Sequence, residues 1–185
     1  VVDTITALNL PRYGLGGYIS LTAAGAARPA EKEMLDNLGR AGKRLIGFSR
    51  TNLFKRLESS GEAFLLSIQR HILRNMVFLH ALDNGLPLPI GTQDVAALRP
   101  DDALAQMDSR LDDDDVELQT DLPGQDNDGE GEGLAVVGLR SEVDFLHRAT
   151  QLYAQYRGPM QRRFKWLRSD LFTHDLAHDL RADTH

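Results

Sequence analysis

The stretch GFSRTNLFKRLESSGEAFLLSIQRHILRN, residues 47–75, decides how this chain is read. It begins rich in basic residues, breaks at a pair of serines, and continues as a strongly apolar segment. Upstream, Leu35, Leu38, Leu45, Phe48, Leu53 and Leu57 recur at roughly helical spacing. Pro29, with Glu31 and Glu33 just after it, suits a helix start, because carboxylates there face the positive end of the helix dipole. Gly39, Gly42 and Gly47 each weaken a helix by about 1 kcal/mol relative to alanine. They either permit close packing or mark a break near RLIGF. Ser59 followed by Glu62 has capping-box spacing, with Ser60 and Gly61 in the turn, so a bend is expected there. Beyond it, Phe64, Leu65, Ile68, Ile72, Val77, Leu79 and Leu82 predict a second helix over residues 61–83. Leu73, Met76 and Phe78 widen its apolar face, so burial on more than one side is expected. Asn84, Gly85, Pro87 and Pro89 end it. The two helices are expected to pair antiparallel, with GLPLPIG as an extended connector.

The fold class that follows is mainly α, an irregular helical bundle or hairpin module with a long acidic flexible loop. Residues 1–29 hold four glycines and two prolines and read as loops around short elements, with a helical turn or a short strand near Thr4 to Leu10. Residues 30–93 form the basic hairpin and its connector. Residues 94–133 are an acidic, partly flexible insertion with a short helix near residues 95–104, interrupted by Pro100. From 108 to 132 there are 11 acidic residues against one arginine, so like-charge repulsion and glycine entropy oppose order. Residues 134–185 read as C-terminal helices: 134–139 as a strand or helix start, a helix capped by Ser141 and Asp144, a basic-aromatic helix at MQRRFKWLRSDLF, and a last helix carrying Leu176 and Leu180.

The 185 residues carry 21 Lys and Arg, 27 Asp and Glu, and no cysteine, for a net charge of -6. Disulfides, thiol catalysis and cysteine-ligated zinc are excluded. No apolar run spans a bilayer, the start VVDTITALNLPRYGLGG shows no basic leader followed by an apolar h-region, and a cytoplasmic home fits. The start without Met and the stop at RADTH are expected of a segment excised from a longer protein.

Motifs for chemistry are missing. There is no GxxxxGK[ST] phosphate loop; PRYGLGGY lacks the lysine and the spacing, and reads as a turn. DLPGQDNDGEGE has acids in the wrong order for a calcium loop. His174 and His178 share a helical face but lack a third ligand, so no metal site is assigned. Ser59 and Ser60 lie beside Glu58 and Glu62 without a nucleophile elbow, and no catalytic residue is assigned.

The basic groups carry the functional expectation. Arg40, Lys43, Arg44, Arg50, Lys55 and Arg56 form one cluster, with Arg50 expected near the side of Arg40 and Arg44. Arg162, Arg163, Lys165 and Arg168 form another, interleaved with Phe164 and Trp166. Such rows contact phosphates without reading sequence, or couple one part of a larger machine to another. The opposing reading pairs them with Glu58, Glu62 or Asp170 and puts the two aromatics in the core.

GKRLIGFSRTNLFKRLESSGEAFLLSIQRHI resembles bacterial SNF2-type helicase-like proteins of superfamily 2, including large proteins of phage-defence systems of the DISARM type. LFKRLESSGEAF, residues 53–64, is similar to a segment between the two RecA-like lobes, and FKWLRSDLF and LAHDLRAD are similar to the approach to the second lobe. The resemblance is clearest over residues 42–93 and 157–183. It implies a parent ATP-dependent DNA helicase or translocase, with ATP and magnesium held by its lobes and no cofactor in this chain. The module would then contact DNA backbone or relay lobe closure, and its partners would be those lobes and DNA, with no membrane. Arg44, Arg50, Lys55 and Arg56 match the basic positions of that segment best, and by the same resemblance Glu58 and Ser59 would order the bend beside them. The alternative is a helical interaction or scaffolding domain without nucleic-acid binding.

Overall fold

A computed structural model describes residues 1–91, 139 and 141–184. The acidic segment 94–133, the helix expected at 95–104 and the strand or helix start at 134–138 lie outside the described residues. The fold is mainly α-helical with one small antiparallel sheet. In chain order the elements are α1 (Val2–Ala7), α2 (Leu21–Gly25), α3 (Pro29–Ser59), α4 (Gly61–Asp83), β1 (Leu88–Gly91), α5 (Glu142–Arg157), β2 (Phe164–Leu167) and α6 (His174–Ala182). Single 3-10 turns occupy Leu15–Tyr18, Gln161–Arg163 and Ser169–Leu171.

α3 runs unbroken for 31 residues, about 46 Å at the α-helical rise, so the break considered near RLIGF does not occur. Its start is fixed by Glu31, whose carboxylate accepts the Arg28 backbone N–H at 2.8 Å. Two of its glycines admit another backbone. A Cβ on Gly16 would lie 2.5 Å from Gly39 Cα and 2.7 Å from the Leu38 carbonyl oxygen, and one on Gly42 would lie 3.4 Å from Gly14 Cα. The glycine cluster GLGG is therefore a packing surface laid across α3, and the helix tolerates its glycines because tertiary contact outweighs local propensity.

The bend is tighter than the sequence predicted. α3 includes Ser59, and Ser60 alone joins it to α4 in extended conformation (φ -162, ψ 129). Ser60 Oγ accepts the Ala63 N–H at 3.3 Å, so Ser60 rather than Ser59 is the cap. Glu58, Ser59 and Glu62 flank this joint as exposed residues.

α4 is the centre of the core. Asn75 to Leu79 are all buried, because α5, α3, α6 and β1 pack around its C-terminal half. Leu65, near its start, is instead 62 % exposed, against the expected stripe. α5 lays Phe145, Ala149, Leu152, Tyr153 and Tyr156 into the same core, and the Tyr153 hydroxyl donates to the Pro87 carbonyl at 2.8 Å. Its start is a capping box in which Ser141 and Asp144 bond reciprocally.

The basic-aromatic helix expected at MQRRFKWLRSDLF is not formed. Arg162 and Arg163 lie in a 3-10 turn, and Phe164–Leu167 is β2, paired antiparallel with β1 in the register Leu88↔Leu167 to Gly91↔Phe164. Pairing explains it: a distant segment, Leu88–Gly91, offers backbone partners to all four residues, and Leu167 is fully buried beside it, so tertiary contact outweighs the local helical pattern. Phe164 packs on Tyr156 (ring centroids 4.4 Å apart) and Trp166 lies edge-on to Tyr153, so both rings border the core.

The N-terminal segment is tied to the C-terminal one. Ser20 N–H donates to Leu171 O and Thr173 N–H to Tyr18 O, each at 2.8 Å. The Tyr18 hydroxyl donates to Asp179 at 2.7 Å. Asp183 accepts the backbone N–H groups of Asn9 at 2.9 Å and Leu10 at 2.7 Å. Leu10 is fully buried with φ 51, a left-handed conformation that costs a non-glycine residue about 1–2 kcal/mol, and the Asp183 clamp offsets it. No helix among the described residues is long and apolar enough to cross a membrane.

Candidate nucleic-acid interface

Because α3 turns back into α4 through one residue, the last turns of α3 face the first turns of α4. The Leu10–Tyr13 segment, held by Asp183 and by the Arg50 guanidinium, which donates to the Leu8 carbonyl at 2.7 Å, closes the far end. The result is a cleft of about 310 Å³. Five cationic side chains line it: Arg12 from the N-terminal segment, Lys55 and Arg56 from α3, and Arg70 and Arg74 from α4. No Asp or Glu is among the described residues that line it.

Arg12 sits at the meeting point of the three segments. Its Nε donates to Asn75 Oδ1 at 2.8 Å and its terminal nitrogen lies 3.1 Å from His71 Nδ1. Burial, opposed by Tyr13 and reinforced by the Arg74 charge, pushes the Arg12 guanidinium below the usual arginine value. It still carries its charge, since an arginine's ordinary value lies so far above neutrality. Burial, and after it the Arg12 and Arg74 charges, hold His71 well below the usual histidine range, so the imidazole is neutral and accepts from Arg12 at Nδ1. A half-buried guanidinium bonded to neutral acceptors keeps its positive charge at the wall of the cleft. Ser49, 7 % exposed, also lines the cleft, and its hydroxyl has no hydrogen-bond partner among the described residues.

The residues expected to act together are divided. Lys55 and Arg56 reach the cleft, as does Ser59. Arg40, Lys43 and Arg44 are exposed on α3 outside it. Arg40 is nine residues from Ser49, about half a turn around the helix, and so faces the opposite way. Arg50 is not on their side: it is half-buried and bound to Leu8. Arg168 is also engaged, its Nε 3.3 Å from Glu31 and its Nη1 3.5 Å from Asp170. Arg162, Arg163 and Lys165 are exposed at the sheet end and do not join the cleft.

Arg12, Arg70, Arg74, His71 and Ser49 were not singled out by sequence. Arg70 and Arg74 are four apart in the quoted stretch, a spacing that puts both on one face of α4. A hairpin folded about the serine pair places that face opposite Lys55 and Arg56, so this half of the cleft had a signal. Arg12 had none, because the left-handed Leu10 redirects the chain that carries it. His174 and His178 are exposed on α6, and no cluster of three or more potential metal ligands occurs among the described residues. No family model, no curated protein and no solved structure matches this chain.

Proposed function

We propose that this chain is the accessory helical module between the two RecA-like lobes of an ATP-dependent, SNF2-type DNA helicase or translocase, and that it meets nucleic-acid backbone through the α3–α4 cleft. The observation that carries this reading is the convergence of Arg12, Lys55, Arg56, Arg70 and Arg74 on a cleft lined by no carboxylate among the described residues. Phosphates are the abundant ligand for such a site, and guanidinium groups bind them with directed, charge-assisted bonds. The overall charge of -6 does not oppose this, because binding responds to the local potential of a cleft more than to the total. The module performs no chemistry itself. ATP and magnesium would act in the lobes, and the one-residue α3–α4 joint at Ser60 would transmit lobe closure to the bound backbone. A cytoplasmic location and a role in phage defence belong to the same reading.

The test is a salt titration of binding by the full chain. If about four phosphates are met, log K falls against log salt with a slope of about -3. Arg70→Gln and Arg74→Gln should each flatten that slope by about one. Absence of salt-sensitive binding at low ionic strength defeats the reading. The rival, a helical interaction domain without nucleic acid, draws on Leu65, Val143 and Leu146, which are 62 %, 73 % and 51 % exposed. It gains if binding is absent and a triple substitution of these three to serine abolishes association with a lobe.

A further inference from the structure

We infer that the cleft accepts an unpaired nucleotide of a single strand, with its base against Tyr13, rather than the outer face of a duplex. The inference rests on the nucleic-acid reading above and assigns the substrate class of the same site.

Three observations point this way. The first is size. A cavity of about 310 Å³ lies at the small end of the ligand-pocket range, about 300–1,000 Å³, which suits one nucleotide unit. A duplex meets the cleft only at its rim, because its bases are paired inward and its backbone is carried on a wide cylinder.

The second is the composition of the walls. Tyr13 lines the cleft and is half-buried, its ring parallel to that of His71 (6° between planes, centroids 6.2 Å apart). The Arg12 guanidinium carbon lies 5.1 Å from the Tyr13 centroid. Arg12 thus covers one face of Tyr13 and His71 lies parallel to it, so the planes stack on one another, and an unpaired base would extend that stack from Tyr13. Leu53 and Ala63 add apolar surface to the same walls. Phosphate contact alone uses neither rings nor aliphatic carbons. Single-strand sites combine the two, a basic track for the backbone and aromatic faces for bases.

The third is Ser49. Its hydroxyl is buried at the cleft wall without a partner, and a buried hydroxyl left unbonded costs about 1–3 kcal/mol. Base edges carry the donors and acceptors that would satisfy it, and an unpaired base adds its Watson–Crick edge, which pairing occupies in a duplex.

The strand then runs with its phosphates along Lys55, Arg56, Arg70 and Arg74 and its base inserted between Tyr13 and Ser49. No sequence preference is expected beyond stacking strength, since every base has a π-face.

The test compares binding of the full chain to a labelled oligothymidine and to a duplex of the same length, by fluorescence anisotropy at matched salt. The single strand should bind about ten-fold more tightly or better. Tyr13→Leu should weaken single-strand binding by about five- to a hundred-fold, the range set by base–aromatic stacking, while leaving duplex binding unchanged. Salt-sensitive duplex binding that equals or exceeds the single strand, with no effect of Tyr13→Leu, overturns this inference and leaves the backbone-binding module standing. Loss of salt-sensitive binding to both strands defeats both. Competition by polyglutamate equal to that of unlabelled oligothymidine also overturns it, since a carboxylate polymer cannot stack. If Tyr13→Leu does not fold, photo-crosslinking of a bromouracil-containing single strand to the unaltered chain reads the same contact. Adducts at Tyr13 or His71 support the inference, and adducts confined to residues outside the cleft overturn it.

Discussion

Replacing Gly16 by alanine tests the joint on which the cleft is built. A Cβ there would meet Gly39 Cα at 2.5 Å, Leu38 O at 2.7 Å and Gly39 N at 2.8 Å, all backbone atoms of α3. Carbon atoms prefer separations of about 3.5–4.0 Å, so the turn and the helix must part by about 1 Å. No rotamer change relieves the contact, because nothing it touches is a side chain. Overpacking of this kind costs about 1–3 kcal/mol, and the backbone character of the clash puts the expected loss at about 2–3 kcal/mol. For a chain of this size about 1 kcal/mol moves the midpoint by about 2–4 °C, so Gly16→Ala should melt about 4–12 °C lower. Gly17→Ala is the matched control, since its Cβ meets nothing within 4 Å, and its midpoint should move far less. Thermal unfolding followed by circular dichroism reads both. The displaced turn also carries Arg12 and Tyr13, so nucleic-acid affinity should fall in Gly16→Ala at temperatures where it remains folded. Equal midpoints for the two variants would refute the close packing of GLGG on α3.

Gly47→Ala, on an exposed stretch of α3 where a Cβ meets nothing within 4 Å, should stabilise the chain by up to about 1 kcal/mol in urea titration, because only the helical propensity changes. Asp183→Ala leaves the Asn9 and Leu10 N–H groups without their acceptor and should cost about 2–4 kcal/mol, read as a lower urea midpoint, while Asp183→Asn keeps an acceptor and should cost less. Hydrogen bonds hold two other carboxyls below their usual range, Glu31 through the Arg28 N–H and Asp179 through the Tyr18 hydroxyl. Their stabilisation is complete above the unfolded carboxylate value and is lost as pH falls through the lower folded values, so acid should destabilise the chain below about pH 4. Burial raises Asp183, whose ionised form is disfavoured on folding, and its contribution runs the opposite way: the penalty is full above the raised folded value and is relieved as pH falls through it toward the unfolded value. Tyr18→Phe should therefore lower stability at neutral pH by about 1 kcal/mol and have less effect in acid, measured as urea midpoints across the pH series.

The sequence by itself determined that a helix over residues 61–83 follows a basic helical segment across a joint at the serine pair. Apolar recurrence over residues 61–83 and the serine pair are local signals, and local signals suffice where a helix end and a turn are concerned. It also determined that basic residues crowd the joint, since Lys55, Arg56, Arg70 and Arg74 are all in the quoted stretch. Only the tertiary structure decided that α3 continues through three glycines, because the reason, Gly14 and Gly16 lying against it, comes from a distant segment. Only it decided that Phe164–Leu167 is a strand, since β1, its partner, lies more than seventy residues earlier in the chain. The same holds for Arg12 and Arg50. Their positions depend on Leu10 held in a left-handed conformation by Asp183, a contact between opposite ends of the chain that no local pattern encodes. Charge content is written in composition, but whether an arginine lines a cleft or ties down a loop depends on which backbone atoms packing brings within reach.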